Sequence, residues 1–283
     1  MDQASFPQCH LETAQSRRGR IMKWIQVLLP IGAVAVLMTM TGRGGGNFYI
    51  PILVASGASM HVAAATGQFV LLATAAAATL LFHKHRMVDW KLALLIDPPT
   101  DIMAFVGGYL SAYVAGTTLK LVMSGLLVLA GFAMLLKVKD RTIQPRKRLG
   151  FWRREFAGET YTVNLWLALP ITAATGFVAG AVGISGGSFK VPLMVLACGV
   201  PMRIAVGTSS LMVAATAAMG LAGHAVQGHF DPHWALPIAC VAVVGGLVGS
   251  RFALKTKPKH LKTLFSFTTL AAAAFMAVNA MLS

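Results

Sequence analysis

The stretch GISGGSFKVP, residues 183–192, lies between two apolar runs and decides how the chain can fold. Its three glycines allow the backbone to leave a helix. At membrane depth such a break is stable only where protein surrounds it or where it lines a watery cavity. Ser188 can cap a new helix by accepting a bond from a backbone N–H, and Pro192 falls near the first turn. We therefore predict a half-helix whose N-terminal N–H groups can bind an anion.

A second copy of this pattern, GRGGGNFYIP, occupies residues 42–51. An offset of 141 residues places Gly45-Gly46 on Gly186-Gly187 and Asn47 on Ser188, so that two potential capping residues coincide. Paired discontinuous helices in two halves of a chain are typical of transporters, in which they meet near the middle of the membrane. The duplication therefore predicts two repeats, each with a glycine-broken re-entrant segment or half-helix.

The composition predicts a membrane protein. Of the 283 residues, 56% are hydrophobic and only 12% are charged, whereas soluble domains carry about 25% charged residues. We expect an all-α, polytopic transmembrane helical bundle. The predicted units are a disordered tail (1–23), a first transmembrane repeat (24–136), a basic linker (137–162) and a second repeat (163–283). The predicted spans and half-spans are residues 24–40, 48–58, 61–82, 90–113, 119–136, 163–182, 191–200, 203–226, 233–253 and 264–282.

The net charge of +15 does not indicate nucleic-acid binding, because most of the Lys and Arg residues lie in short segments between apolar runs. Basic loops mark the cytoplasmic side of a membrane protein. If each broken segment enters and leaves on one side, the basic loops 83–91, 137–162 and 251–262 all become cytoplasmic and the two halves are inverted. If the first apolar run crosses fully instead, that symmetry is lost.

No cofactor or metal site is expected. The three cysteines are too few and too scattered for a disulfide framework or a CxxC site, and the histidines lack metal-ligand spacing. The chain contains no G-x-S-x-G, H-E-x-x-H or Walker A motif. We therefore expect neither an enzyme nor an ATPase, and any energy coupling must come from an ion gradient or a substrate gradient. The sequence indicates no oligomeric state.

Several motifs together resemble the TauE/SafE family of sulfite exporters, over about residues 24–282. These motifs are the glycine break followed by proline, the run Ala205-Val206-Gly207-Thr208-Ser209, the span starts Asp89-Trp90 and His233-Trp234, and the doublets Gly107-Gly108 and Gly245-Gly246. The first half departs from the family pattern, because Arg43 interrupts the glycines and the segment 64–68 replaces the usual G-T-S. The resemblance implies a multi-pass protein of the bacterial inner membrane that exports sulfite or small organosulfonates without a cofactor.

The candidate substrate-binding residues lie at the two breaks and on the helices that follow them. The glycines can present N–H groups to an anion or can simply permit close packing. Arg43 and Lys190 can pair with a sulfonate or can extend to the membrane interface. The hydroxyls of Thr66, Thr208 and Ser209 can bind a ligand or the preceding helical turn. The full set is Arg43, Gly44, Gly45, Gly46, Asn47, Thr66, Gly183, Ser185, Gly186, Gly187, Ser188, Lys190, Thr208 and Ser209.

Asp97 and Asp101 lie one helical turn apart within the predicted third span. Two carboxylates this close in a low dielectric resist double ionisation, so one is expected to hold a proton at neutral pH. The pair is therefore either a proton-coupling site, a counter-ion for Arg43, or a structural ion pair. The alternatives to an anion transporter are a channel-like or structural membrane protein, and an intramembrane enzyme that uses this carboxylate pair.

Overall fold

A computed structural model of the chain describes residues 8–114, eight positions between 118 and 132, and residues 149–183, 186–228 and 230–281. Ten helices and one hairpin are assigned in these parts. The helices are α1 (Gln8–Met40), α2 (Gly46–Ala55), α3 (Met60–Lys84), α4 (Trp90–Ile96), α5 (Pro98–Leu110), α6 (Leu165–Val182), α7 (Gly187–Pro192), α8 (Met202–Val226), α9 (Pro232–Lys255) and α10 (Pro258–Met281). Strands β1 (Phe151–Phe156) and β2 (Glu159–Asn164) form the hairpin.

Four of the described helices are long and apolar enough to cross a membrane: α3, α6, α8 and the Trp234–Lys255 part of α9. Two shorter apolar helices, Trp24–Met40 of α1 and Gly187–Ala197, flank the glycine breaks. The predicted all-α membrane architecture is confirmed at this level. The predicted span 119–136 lies largely outside the described residues, and the proposed boundaries of the units stay predictions. The helix α1 begins at Gln8, within the segment 1–23 expected to be a tail.

Helices of each half of the chain pack against helices of the other half. The first long helix of each half packs on the third span of the other half: α1 packs against α9, and α6 packs against α5. The central helices α3 and α8 pack against each other, and each also contacts the third span of the opposite half. Small residues allow these close approaches, since a Cβ added to Gly180 would lie 2.0 Å from the Ala104 carbonyl oxygen. Association through such small residues is typical of helices in membranes.

The predicted third span is divided into α4 and α5, with Asp97 between them. Pro98 and Pro99 occupy the first two positions of α5, where the missing proline N–H groups disturb a helix least. The backbone hydrogen bond from Asp101 N to Asp97 O continues across the junction. The division leaves Asp97 buried at a helix end, next to the interior of the bundle.

The hairpin lies mostly within the segment predicted as a basic linker (137–162) and ends two residues beyond it, at Asn164. Ala157 and Gly158 both have positive φ and form its two-residue turn, as type I′ hairpins require. Arg154 of β1 donates two hydrogen bonds to the buried Asp89 carboxylate, from Nε at 2.8 Å and from Nη2 at 3.2 Å. The Tyr161 hydroxyl donates to the same carboxylate at 2.5 Å. Asp89 in turn caps α4 by accepting from Lys91 N and Leu92 N. The hairpin therefore fixes the start of α4.

Burial alone would raise the pKa of the Asp89 carboxyl group. Hydrogen bonds from Arg154, from Tyr161 and from the Leu92 N–H outweigh burial and hold this pKa below its usual value. A group with a lowered folded-state pKa stabilises the fold above its unfolded pKa, and this stabilisation is lost as the pH falls through the folded pKa.

Arg154→Gln should lower the free energy of unfolding by about 2 kcal/mol at neutral pH, because it leaves the buried Asp89 carboxylate without its charged partner. The difference from the parent protein should shrink as the pH falls through the lowered pKa of Asp89, because the carboxyl group is then protonated and no longer needs a charged partner. Thermal or denaturant unfolding in detergent measures both effects. Arg153→Gln, on the exposed face of the same strand, is the matched control. Equal effects of the two substitutions would show that the hairpin contact does not stabilise the fold.

Candidate functional site

The two glycine breaks lie against each other inside the bundle. A Cβ added to Gly187 would lie 3.0 Å from the Gly42 carbonyl oxygen and 3.1 Å from Arg43 Cα. Arg43 Nε donates to Ser188 Oγ at 3.2 Å, so one hydrogen bond joins the two breaks across 145 residues of chain. Ser209 of α8 donates to the Gly42 carbonyl at 2.9 Å. The two predicted breaks therefore meet at one place inside the bundle.

The helix caps differ from the prediction. Gly45, with φ 97°, caps α2, and Gly186 caps α7, without a side-chain hydrogen bond in either case. Asn47 and Ser188 are instead the second residues of their helices. The prediction that Ser188 caps the helix is wrong, because its hydroxyl is in the first turn and accepts a bond from Arg43. After Pro192 the helix widens into a π-helical turn, Leu193–Ala197.

Arg43 is buried, with only 1% of its surface exposed. Besides Ser188, its guanidinium binds helix α10: Nη1 donates to Thr269 Oγ1 at 2.7 Å, to Thr268 Oγ1 at 2.9 Å and to Phe265 O at 3.2 Å. The Phe265 ring also lies 4.7 Å from the guanidinium carbon, in a cation–π arrangement. Both threonine hydroxyls donate to the carbonyl one turn earlier, so their oxygens are oriented to accept from the arginine. The alternative that Arg43 extends to an interface is therefore excluded.

Within the described residues, Arg43 contacts only neutral groups. No carboxylate among the described residues pairs with it, and its Nη2 has no hydrogen-bond partner in the same part of the chain. The alternative that the Asp97 and Asp101 pair is its counter-ion is wrong, because Asp97 pairs with Lys190 and Asp101 accepts from Thr216. A buried guanidinium with five donors and no counter-charge is an arrangement that an oxyanion can complete.

Lys190, the second buried cation, is neutralised by the protein itself. Its Nζ lies 2.5 Å from Asp97 Oδ1. It also donates to Thr216 Oγ1 at 2.6 Å and to the Met212 carbonyl at 3.1 Å. Thr216 in turn donates to Asp101 Oδ1 at 2.8 Å. Both carboxylates therefore lie near Lys190, as expected from their shared helix face. Asp97 forms an ion pair with Lys190, and Asp101 is linked to it through the Thr216 hydroxyl.

The remaining candidate residues have varied surroundings. Thr208 accepts from Asp89 N at 3.0 Å and thus supports the start of α4. Thr66 is buried, and its hydroxyl has no partner among the described residues. Gly183, with φ 78°, ends α6 and contacts Ala64 closely. Gly44 and Gly46 complete the first break, whereas Ser185 lies outside the described residues.

Sequence reasoning missed four site residues, namely Phe265, Thr268, Thr269 and Thr216. A signal was present for the threonines, since polar side chains inside a membrane span usually face the interior of the bundle. It identifies no partner, because the contact of α10 with the first break depends on tertiary packing. In the described part of the chain no three His, Cys, Asp or Glu side chains converge on a possible metal position.

Gly187→Ala should separate the two breaks. Its new Cβ would lie 2.8 Å from Val213 Cγ2, as well as close to the first break, so we expect a loss of about 2 kcal/mol in unfolding free energy from overpacking. Gly125→Ala is the matched control, because no described atom lies within 4 Å of its added Cβ. Thermal unfolding in detergent compares the two variants. A Gly187→Ala protein as stable as the control would mean that the breaks do not touch.

Comparison with known proteins gives one family. The family model described as "Sulfite exporter TauE/SafE" matches residues 27–276. The protein named "Probable membrane transporter protein YunE" from Bacillus subtilis is 28% identical to this chain. The alignment covers 83% of this chain and 90% of YunE. The similarly named YfcA of Escherichia coli K12 is 25% identical over 84% of each chain. No solved structure matches. The chain therefore belongs to the TauE/SafE sulfite exporter family and is a membrane transporter.

Proposed function

We propose that this chain is a secondary transporter of small sulfur-containing oxyanions, sulfite or organosulfonates, and that Arg43 binds the anion where the two helix breaks meet. The observation that carries the proposal is the burial of Arg43 without an acidic partner among the described residues. The family name supports the substrate class. We further propose export across the bacterial inner membrane.

The energy of burial favours an anionic ligand. Removing an ion from water costs several kcal/mol even after the protein relaxes around it, and neutral hydrogen bonds offset only part of that cost. An oxyanion beside Arg43 adds the missing opposite charge and can accept from the guanidinium fork in two parallel bonds. The adjoining N-terminus of α2 adds a favourable helix dipole.

The two halves differ in how they hold their cations. At the offset that aligns the glycine breaks, Tyr49 takes the place of Lys190 and Ile184 takes the place of Arg43. Each half therefore contributes one cation that the other half lacks. Because Asp97 neutralises Lys190, Arg43 is left to bind the ligand, and the two carboxylates together carry one negative charge more than Lys190 balances, which a proton can neutralise.

The site is closed to solvent, which fits a transporter that opens its binding site to one side of the membrane at a time. Arg43 is 1% exposed, and the apolar cavity of about 680 Å³ between α1, α2, α9 and α10 does not include it. We therefore propose that the breaks move apart to admit an anion. The equivalent packing of each half on the other supports inverted repeats. In transporters with inverted repeats, one half rocks against the other around a central site. A channel would instead need a continuous open path.

Arg43→Gln should weaken sulfite binding by about 10- to 100-fold, because charge-assisted hydrogen bonds contribute about 1.5–3 kcal/mol. Arg203→Gln is the matched control, since this arginine is exposed and bonds only weakly to Thr256 O at 3.4 Å. Sulfite-dependent thermal stabilisation in detergent measures binding, and flux into proteoliposomes measures transport. Equal losses in both variants, or stabilisation by neutral amines and not by sulfite, would contradict the proposal.

Inverted topology predicts which loops face the outside. In a background without native cysteines, a membrane-impermeant thiol reagent applied to sealed cells should label Phe230→Cys, after α8, but not Lys257→Cys, between α9 and α10. Both positions should label after the cells are opened, which controls for reactivity. Labelling of Lys257→Cys in sealed cells would reject the proposed orientation.

A further inference from the structure

The Lys190 cluster contains two carboxylates and one cation, and this imbalance gives it a proton-binding capacity. If Asp97, Asp101 and Lys190 are all ionised, the cluster carries one excess negative charge. One proton makes it neutral. In a poorly polarisable interior the neutral arrangement is favoured over an uncompensated charge, so a single proton has a defined place to bind.

The geometry distinguishes the two carboxylates. Asp97 is buried and makes the direct contact of 2.5 Å with Lys190 Nζ, which favours its ionised form. Asp101 makes no ion pair with Lys190 and reaches it only through the neutral Thr216 hydroxyl. Asp101 is also partly exposed, whereas only 4% of Asp97 is exposed. Asp101 is therefore both less stabilised as an anion and easier for a proton to reach.

The Thr216 hydroxyl can keep its hydrogen bonds whether Asp101 is ionised or protonated. Its oxygen accepts from Lys190, and its single hydroxyl hydrogen has two acceptors at the same distance, Asp101 Oδ1 and the Met212 carbonyl, each at 2.8 Å. An ionised Asp101 receives this hydrogen. When Asp101 is protonated, the hydroxyl can rotate to Met212, and Lys190 keeps its bonds to Thr216 and Asp97.

We infer that Asp101 takes up and releases the proton that accompanies anion movement, while Asp97 stays ionised as the fixed counter-ion of Lys190. This inference rests on the proposed function and deepens it. The other ionisable groups around α5 are few. Helix α6 has none, and α8 has only Arg203 and His224. His224 contacts Ser111 and the Gly180 carbonyl at the far end of α5, and Lys91 of α4 is exposed.

Infrared difference spectroscopy of the detergent-solubilised full chain tests the assignment without a substrate. Between about pH 8 and about pH 5.5 ordinary exposed carboxyls stay ionised, so the C=O band of a newly protonated carboxyl group reports the cluster. We expect this band in the parent protein and in Asp101→Glu. It should be lost in Asp101→Asn. It should persist in the double variant Asp97→Asn with Lys190→Met, which removes one charge of each sign and spares Asp101.

A band that persists in Asp101→Asn and disappears in the double variant would overturn the inference and assign the proton to Asp97. If Asp101→Asn fails to fold, the absence of a protonated-carboxyl band from the double variant at both pH values still overturns it, because Asp101 would then not hold a proton even without the Lys190 cation. Thermal stabilisation by sulfite, measured on the same samples, tests the anion site separately. An absence of stabilisation in the parent protein would reject the anion proposal and leave the infrared assignment standing.

Discussion

A buried guanidinium that has no counter-ion among the described residues is the constraint on which this structure depends. Arg43 lies at the point where two glycine-broken segments meet, and hydroxyls and a carbonyl from α7 and α10 hold it. These neutral groups orient the side chain but do not balance its charge. The described part of the chain therefore leaves a positive charge in the interior, which the proposed anionic substrate would neutralise. The glycines matter because any larger residue at Gly187 would push the two breaks apart.

The second buried cation, Lys190, differs from Arg43 because carboxylates lie close to it. Lys190 has a carboxylate in direct contact and a second one through Thr216. The break between α4 and α5 places Asp97 at that contact, and the hairpin fixes α4 through Asp89. Each cluster is built from both halves of the chain, because Ser188 and Thr269 of the second half bind Arg43 of the first. In the other cluster, Asp97 of the first half pairs with Lys190 of the second. The two sites are adjacent because Ser188 and Lys190 lie on the same short helix, α7.

The sequence predicted the class of protein, the two breaks and the convergence of Asp97 with Asp101, because these depend on composition, glycine patterns and helical spacing. It did not predict the partner of each cation, since Arg43 contacts Thr269, which is 226 residues away. It also misassigned the cap of α7, because two adjacent glycines allow the helix to start before Ser188. The hairpin was missed because its strands are short and follow a charged segment, although Tyr161 and Val163 alternate with polar residues along β2.

An experimental structure with bound selenite, an oxyanion analogue of sulfite whose selenium scatters anomalously, tests the central claim most directly. The account predicts an anomalous peak beside Arg43, within hydrogen-bonding distance of Nη2 and next to the start of α2. The Lys190–Asp97 ion pair should remain intact in the same structure. A peak that replaces Asp97 at Lys190, with no density beside Arg43, would contradict the account.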